Sequence, residues 1–172
     1  ASKLAGEGYC SAYWHSFGIE AVALRFGNVY GPGSGHKQSV VARFLKDGLA
    51  GQPLEVHGDG DQTRDFLFID DLIAAVVKSA RADGLGGEVL HIATGTERTV
   101  NEIASRIADL LFRRTGRRPE IAHRQSRPGE MKRNFADIAK ARRLLGFSPQ
   151  TPLDEGLART LDYFLAAAAA PR

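Results

Sequence analysis

The sequence predicts an α/β protein: the last strands of a doubly wound parallel sheet, joined to a smaller mixed α/β lobe. Three observations carry that expectation. Short apolar runs such as "AVALRF" and "DFLFI" alternate with longer segments of helical periodicity, the pattern of strands separated by helices. The runs are very short and the loops between them long and polar, which is too broken for one complete sheet. No Gly-x-Gly-x-x-Gly occurs, so the chain has no glycine-rich turn of the kind that opens a complete dinucleotide-binding sheet.

Each element has its own signal. Ser2 to Phe17 reads as a helix with Leu4, Tyr9, Tyr13 and Trp14 among its apolar positions. Ala21 to Phe26 reads as a buried strand between Gly18 and Gly27. "GNVYGPGSG" is dense in turn residues and reads as a loop. Val40 to Leu49 is a second helix, Leu54 to His57 a short strand, "GDGDQ" a turn and Asp65 to Ile69 another strand. Asp70 or Asp71 is expected to cap a helix running to about Arg81. Glu88 to Ala93 is a strand. Thr99 and Glu102 form a capping box for a helix that ends at Gly116. Pro119 to Ala122 reads as a strand, Asp137 to Leu145 as a helix ended by Gly146, and Leu153 to Ala168 as the last helix.

The composition is that of a globular domain. With 172 residues, 43% hydrophobic and 25% charged, the chain can bury roughly 70% of the surface it exposes when unfolded. No apolar run approaches the ~20 residues of a membrane-spanning helix, and signal-peptide anatomy is absent. One cysteine, Cys10, makes no internal disulfide, which fits a reducing cytoplasm. Net charge is +3, and its densest basic patch, Arg113 to Arg118, sits at a helix end where arginine complements the macrodipole. Without interleaved aromatics or a reading motif, it does not argue for nucleic acid. The histidines share no metal-ligand spacing, and Asp59 and Asp61 form a short turn with too few ligands, so no metal is assigned.

Four stretches in series carry a resemblance: "ASKLAGE", "LRFGNVYGPG", "GDGDQTRDFLFIDDL" and "RPGEMKRNFADIAKARRLLGFSP". In this order and spacing the chain resembles the C-terminal half of the NAD-dependent epimerase/dehydratase family. These are extended short-chain dehydrogenases that act on nucleotide sugars and are typified by UDP-glucose 4-epimerase. The resemblance implies the end of a Rossmann-type sheet with its substrate-binding lobe, an NAD cofactor, a UDP-hexose substrate and a homodimer built on the opening helix. It also implies a hydride removed from the sugar's C4 and returned to it. 4,6-Dehydratases and decarboxylases share much of this half. Lys3 matches the lysine of the family's Tyr-x-x-x-Lys. The tyrosine would fall two positions before Ala1, so the expectation is a fragment cut just past it, with the dinucleotide-binding half upstream.

The resemblance assigns further residues. Tyrosine ordinarily ionises near pH 10, and a neighbouring ammonium, supplied by Lys3, lowers that value. Phe26 and Val29 match positions lining the nicotinamide, which Lys3 also approaches through its ribose. Asn28 matches an asparagine on the sugar diphosphate; the plain alternative is a turn residue satisfying its own backbone. Val41 falls among substrate-binding positions. Arg64 and Arg127 match arginines that grip the diphosphate and its ribose end, a task suited to a planar guanidinium. The plain alternative for Arg64 is an exposed ion pair with Asp65. His57 matches a position near the uracil, or is a surface histidine. Asn134 matches a residue beside the sugar's C2 substituent.

Overall fold

The computed structural model describes residues 1–126 and 128–169. Its organising element is β5 (Phe66–Phe68), three residues that are all buried. Successive strand side chains point to opposite faces. Here Phe66 and Phe68 enter one hydrophobic core and Leu67 another. A strand covered on both faces reads as a continuous apolar run, which is what "DFLFI" is.

β5 pairs in parallel with β2 (Asn28–Tyr30), in a register that sets Asn28 beside Phe66 and Tyr30 beside Phe68. The sequence reading placed this segment in a loop. The correction has a local cause. A Cβ on Gly27 would lie 2.9 Å from the Asp65 carbonyl oxygen, so the glycine is there for close approach rather than for a turn. It lets the Asn28 N–H donate to that carbonyl at 2.7 Å.

On one side of β5, β1 (Ala23–Phe26) and β6 (Val89–Ile92) pair in parallel, with Arg25 opposite His91. α3 (Ile69–Arg81) connects β5 to β6, and α5 (Ala139–Leu145) packs on β6. Leu67, Ala75, Leu90, Ile92, Ile138 and Phe147 form this smaller core. α3 starts at Ile69, with Phe68 rather than either aspartate in the capping position. Asp71 is buried and accepts from the backbone N–H groups of Gln150 and Thr151, at 2.8 and 3.1 Å. Its carboxylate fastens a distant loop instead of capping its own helix. α1 (Ser2–Phe17) lies against β1 and buries none of its residues.

On the other side, α2 (Val40–Leu49), α4 (Val100–Thr115) and α6 (Leu153–Ala169) enclose the larger core around Phe44, Leu45, Ile103, Ile107, Leu111, Leu157 and Leu161. β3 (Leu54–His57) pairs in parallel with β8 (Ile121–Arg124) along its rim. β8 begins two residues later than the sequence suggested; Pro119 has no N–H to give to a ladder. A two-residue antiparallel pair, β4 (Thr63–Arg64) with β7 (Arg98–Thr99), closes the gap between the lobes. The Thr99 half of the capping box is present: Thr99 accepts from the Glu102 N–H at 3.0 Å, while Glu102 Oε1 accepts from Arg98 and Arg106, and Gly116 ends α4 in the left-handed conformation with φ 73°. Among the described residues no helix is long and apolar enough to cross a membrane.

Candidate functional site

The carboxyl end of β1, where α/β proteins open their ligand crevices, leads through Gly27 into Asn28. Two clefts meet at that asparagine. The first, about 200 Å³, lies between β2 and the start of α2 and is lined by Asn28, Val29, Val41 and Arg64 with Ser39 and Phe66. The second, about 260 Å³, is lined by Phe26, Asn28 and Asn134 with Arg25, His91 and Phe135. A third depression, about 430 Å³, holds His57 with Asp59, Gln62, Glu130 and Lys132. The first two fall below the ~300–1,000 Å³ of a typical small-molecule pocket, so an extended ligand would run through more than one. Five expected residues therefore share a cleft with Asn28, and His57 stands in the third depression.

Arg64 links the first and third spaces. Its Nη1 donates to the carbonyls of Thr63 and Met131, both at 2.7 Å, and its Nη2 lies 3.7 Å from Glu130. Its side chain is only 17% exposed. The ion pair with Asp65 does not form. Asp65 is buried and accepts from the Thr94 N–H and hydroxyl and from the Gly95 N–H, at 2.7–2.8 Å. Opposite Arg64, the first turn of α2 reaches the cleft with Val40 and Val41. Helix N-termini carry unpaired N–H groups and favour anions. The Ser39 hydroxyl at this helix start is buried without a partner among the described residues. Guanidinium and helix terminus together make the first cleft suited to an anion.

His57 is neither a bare surface residue nor an open aromatic platform. Its Nε2 lies 3.3 Å from Arg43 Nη1 and its Nδ1 3.3 Å from the Gln125 carbonyl. A carbonyl only accepts, so Nδ1 carries the proton and Nε2 accepts from Arg43. The segment after β8 is laced to β4: Thr63 donates its N–H to the Lys132 carbonyl at 2.8 Å, and Asn134 donates to the Thr63 carbonyl at 3.2 Å. Glu97 reinforces that lacing by accepting from Arg133 and from the Thr63 hydroxyl, which together hold its carboxyl down at about 2. This is how Asn134 reaches the cleft of Phe26. Arg127, the second expected arginine, lies outside the described residues.

Sequence reasoning did not single out Glu97, Gln62 or Glu130. Gln62 donates to the His57 carbonyl at 2.9 Å and to Glu130 at 3.3 Å. Glu130 belongs to the quoted "RPGE", and that motif was the one available signal for it. Of the residues lining the first cleft, Tyr30 is the only phenol. Burial first, then the charges of Asp71, Asp154 and Glu155, push it far above its ordinary value, so it stays protonated and is no general base.

Lys3 is exposed on the first turn of α1. Glu7 and Trp14 hold that helix to the smaller lobe. Glu7 accepts from Arg25 Nε and Nη2, both at 2.6 Å. Trp14 lies on Gly86, where an added Cβ would come within 2.2 Å of the indole. Phe26 offers a ring 53% exposed at the end of β1, with Val29 and Lys3 as its expected companions, and the sequence holds no Gly-x-Gly-x-x-Gly for the pyrophosphate.

Parallel strands that end in a polar cleft, with a guanidinium and a helix start on its walls, define a mixed α/β protein with its candidate site at the carboxyl ends of its strands. The model of the NAD-dependent epimerase/dehydratase family matches residues 1–93, and the chain belongs to that family. It is 35% identical over 166 residues to a UDP-glucose 4-epimerase of Mycolicibacterium smegmatis, covering 95% of this chain and 51% of that one. It is 33% identical over 171 residues to a dTDP-glucose 4,6-dehydratase of Xanthomonas campestris, covering 96% and 48%. The UDP-glucuronic acid 4-epimerase of Bacillus cereus, solved with UDP-glucuronic acid and NAD, superposes with a TM-score of 0.82 at 35% identity, covering 95% and 51%. The chain spans about half the length of these relatives.

Proposed function

We propose that the chain is the substrate-binding half of an NAD-dependent nucleotide-sugar 4-epimerase acting on a UDP-hexose. The dinucleotide-binding half and the tyrosine base lie upstream in the full-length enzyme. The observation that carries this reading is the meeting of Arg64 and the first turn of α2 across one cleft from Asn28. A diphosphate in that cleft accepts from the guanidinium, from the N–H groups of the helix start and from the Asn28 amide. Arg127 adds a second guanidinium. The His57 depression takes the base, and the cleft of Phe26 and Asn134 takes the hexose. Asn134 is small, which leaves room for an N-acetyl group at C2. Lys3 favours the phenolate of the tyrosine and holds the ribose of the cofactor. NAD, when bound, supplies the acceptor and donor of the hydride. Leu4, Tyr9, Tyr13 and Phe17 are exposed along α1, which supports a homodimer formed through that helix.

The test is UDP-glucose binding to the full-length enzyme carrying Arg64→Ala, Arg127→Ala, or both. Each loss of a charge-assisted donor is expected to cost about 1.5–3 kcal/mol, roughly tenfold to a hundredfold in affinity. Arg→Lys recovers part of it, and NAD content stays unchanged. Parental affinity in Arg64→Ala would remove the diphosphate from this cleft. Product analysis with UDP-glucose and dTDP-glucose separates the reactions: a C4-inverted hexose supports the epimerase, and a 4-keto-6-deoxy sugar moves the enzyme to the dehydratases.

A further inference from the structure

We propose that Arg25 is a positioning residue for Lys3: by clamping the Glu7 carboxylate against β1, it keeps that carboxylate away from the ammonium one helical turn before it. The inference rests on the role given to Lys3 in the proposed function.

Lys3 and Glu7 are four residues apart on α1. Residues at that spacing share a helix face about 6 Å apart along the axis, and opposite charges there pair with each other. Glu7 is thus a carboxylate placed to claim Lys3. It is held elsewhere. Both of its oxygens are engaged by Arg25, Nε on Oε1 and Nη2 on Oε2, at 2.6 Å each. This is the parallel two-bond geometry that a guanidinium makes and an ammonium does not. The Glu7 side chain is 16% exposed, so it is largely withdrawn from solvent.

Arg25 is itself held from the far side. Its Nη1 lies 3.4 Å from His91 Nε2, and His91 is its register partner across the β1–β6 ladder. His91 Nδ1 faces the Asp137 carbonyl at 3.3 Å. That carbonyl fixes the proton on Nδ1, which leaves Nε2 to accept from Arg25. The groups facing Glu7 are therefore Arg25 from β1 and His91 from β6, with Lys3 on its own helix.

The consequence is electrostatic. Without Arg25, the Glu7 carboxylate is released toward Lys3 and neutralises part of its charge. Lys3 then holds its proton to higher pH, and the tyrosine it serves loses part of the stabilisation of its phenolate.

The experiment uses the full-length, NAD-loaded enzyme and four variants: Arg25→Gln, Arg25→Lys, Glu7→Gln, and Glu7→Gln with Arg25→Gln. The first readout is the pH midpoint of Lys3 acetylation, followed by mass spectrometry on the folded protein. Arg25→Gln is expected to raise it by about 0.3 in pH, the size of an i, i+4 helix pair. Adding Glu7→Gln is expected to return it to the parental value or below. The second readout is the acidic limb of kcat/KM. It is expected to move to higher pH in Arg25→Gln, by less in Arg25→Lys, and back in the double variant. An ion pair that only braces the helix gives a different result: the double variant is at least as impaired as the single one and the Lys3 midpoint does not move. That result would overturn the proposal. A Lys3 midpoint that moves as stated with no change in the pH profile supports the clamp and counts instead against the catalytic role of Lys3.

Discussion

Helices α1 and α4 have sixteen residues each, yet they are held in opposite ways. α4 buries Val100, Ile103, Ala104, Ile107, Ala108, Leu110 and Leu111, a stripe at helical spacing that fills the larger core. Its start is capped by Thr99. α1 buries no residue and leaves Leu4, Tyr9, Tyr13 and Phe17 exposed. It is fastened at two points, Glu7 on Arg25 and Trp14 on Gly86. Among the described residues, the helix that carries Lys3 thus has little local support, whereas α4 is built into the larger core. Segments with few buried contacts open first, so the two should separate in any measurement of local stability.

The sharpest way to break that contrast is in the larger core. Ile107 is fully buried, and Ile107→Ala is expected to cost about 2–5 kcal/mol through lost contacts and a residual cavity. Urea unfolding followed by circular dichroism reads it; a loss under 1 kcal/mol would mean that α4 is not the pillar described.

Gly86→Ala acts on the other helix. The added methyl meets the Trp14 ring and is expected to cost about 1–3 kcal/mol. The cost should appear in hydrogen exchange as lost protection in α1, with α4 unchanged. Equal loss in both would show a single cooperative unit. Thr99→Ala removes the cap of α4 and is expected to cost about 1 kcal/mol, read as a lower melting temperature.

Leu4→Ala, on the exposed face of α1, should stay within about 0.5 kcal/mol of the parent in the monomeric chain. The smallest effect concerns pH. Glu97 is held at about 2, below the ordinary ~4.3 of a glutamate, by Arg133 first and then by the Thr63 hydroxyl. A depressed carboxylate contributes above its unfolded value and loses that contribution as pH falls toward the folded one. Exchange protection around residues 132–134 should therefore be flat from pH 8 to 5 and fall only below about 4.

Much of this was legible because the causes are local. Thr99 with Glu102, the stop at Gly116 and the stop at Gly146 are decided within a turn of chain, and each stands where its residues announce it. The run "FLF" within "DFLFI" announced a buried strand, since a short strand covered on both faces is apolar at successive positions. The misreadings share one feature. "GNVY" looked like a loop because its glycine could not be distinguished from a turn glycine without knowing that the Asp65 carbonyl stands 2.9 Å from where a Cβ would be. Asp71 looked like a cap because the two N–H groups it accepts from lie 79 and 80 residues further on. The alternative held open for Arg64, an ion pair with Asp65, likewise rested only on their being neighbours in sequence. Alternation along the strand sends Asp65 to the Thr94–Gly95 turn and leaves Arg64 near Glu130.

The sequence by itself determined the element types, most of their ends and the residue classes of the candidate site, because periodicity, capping and side-chain chemistry are properties of short stretches. Only the tertiary structure decided which of those residues share a cleft, that β2 joins β5, and that Glu7 turns to Arg25 rather than to Lys3. Those outcomes depend on contacts between segments distant in sequence: a carboxylate four residues from a lysine carries no mark of the arginine eighteen residues away that will hold it.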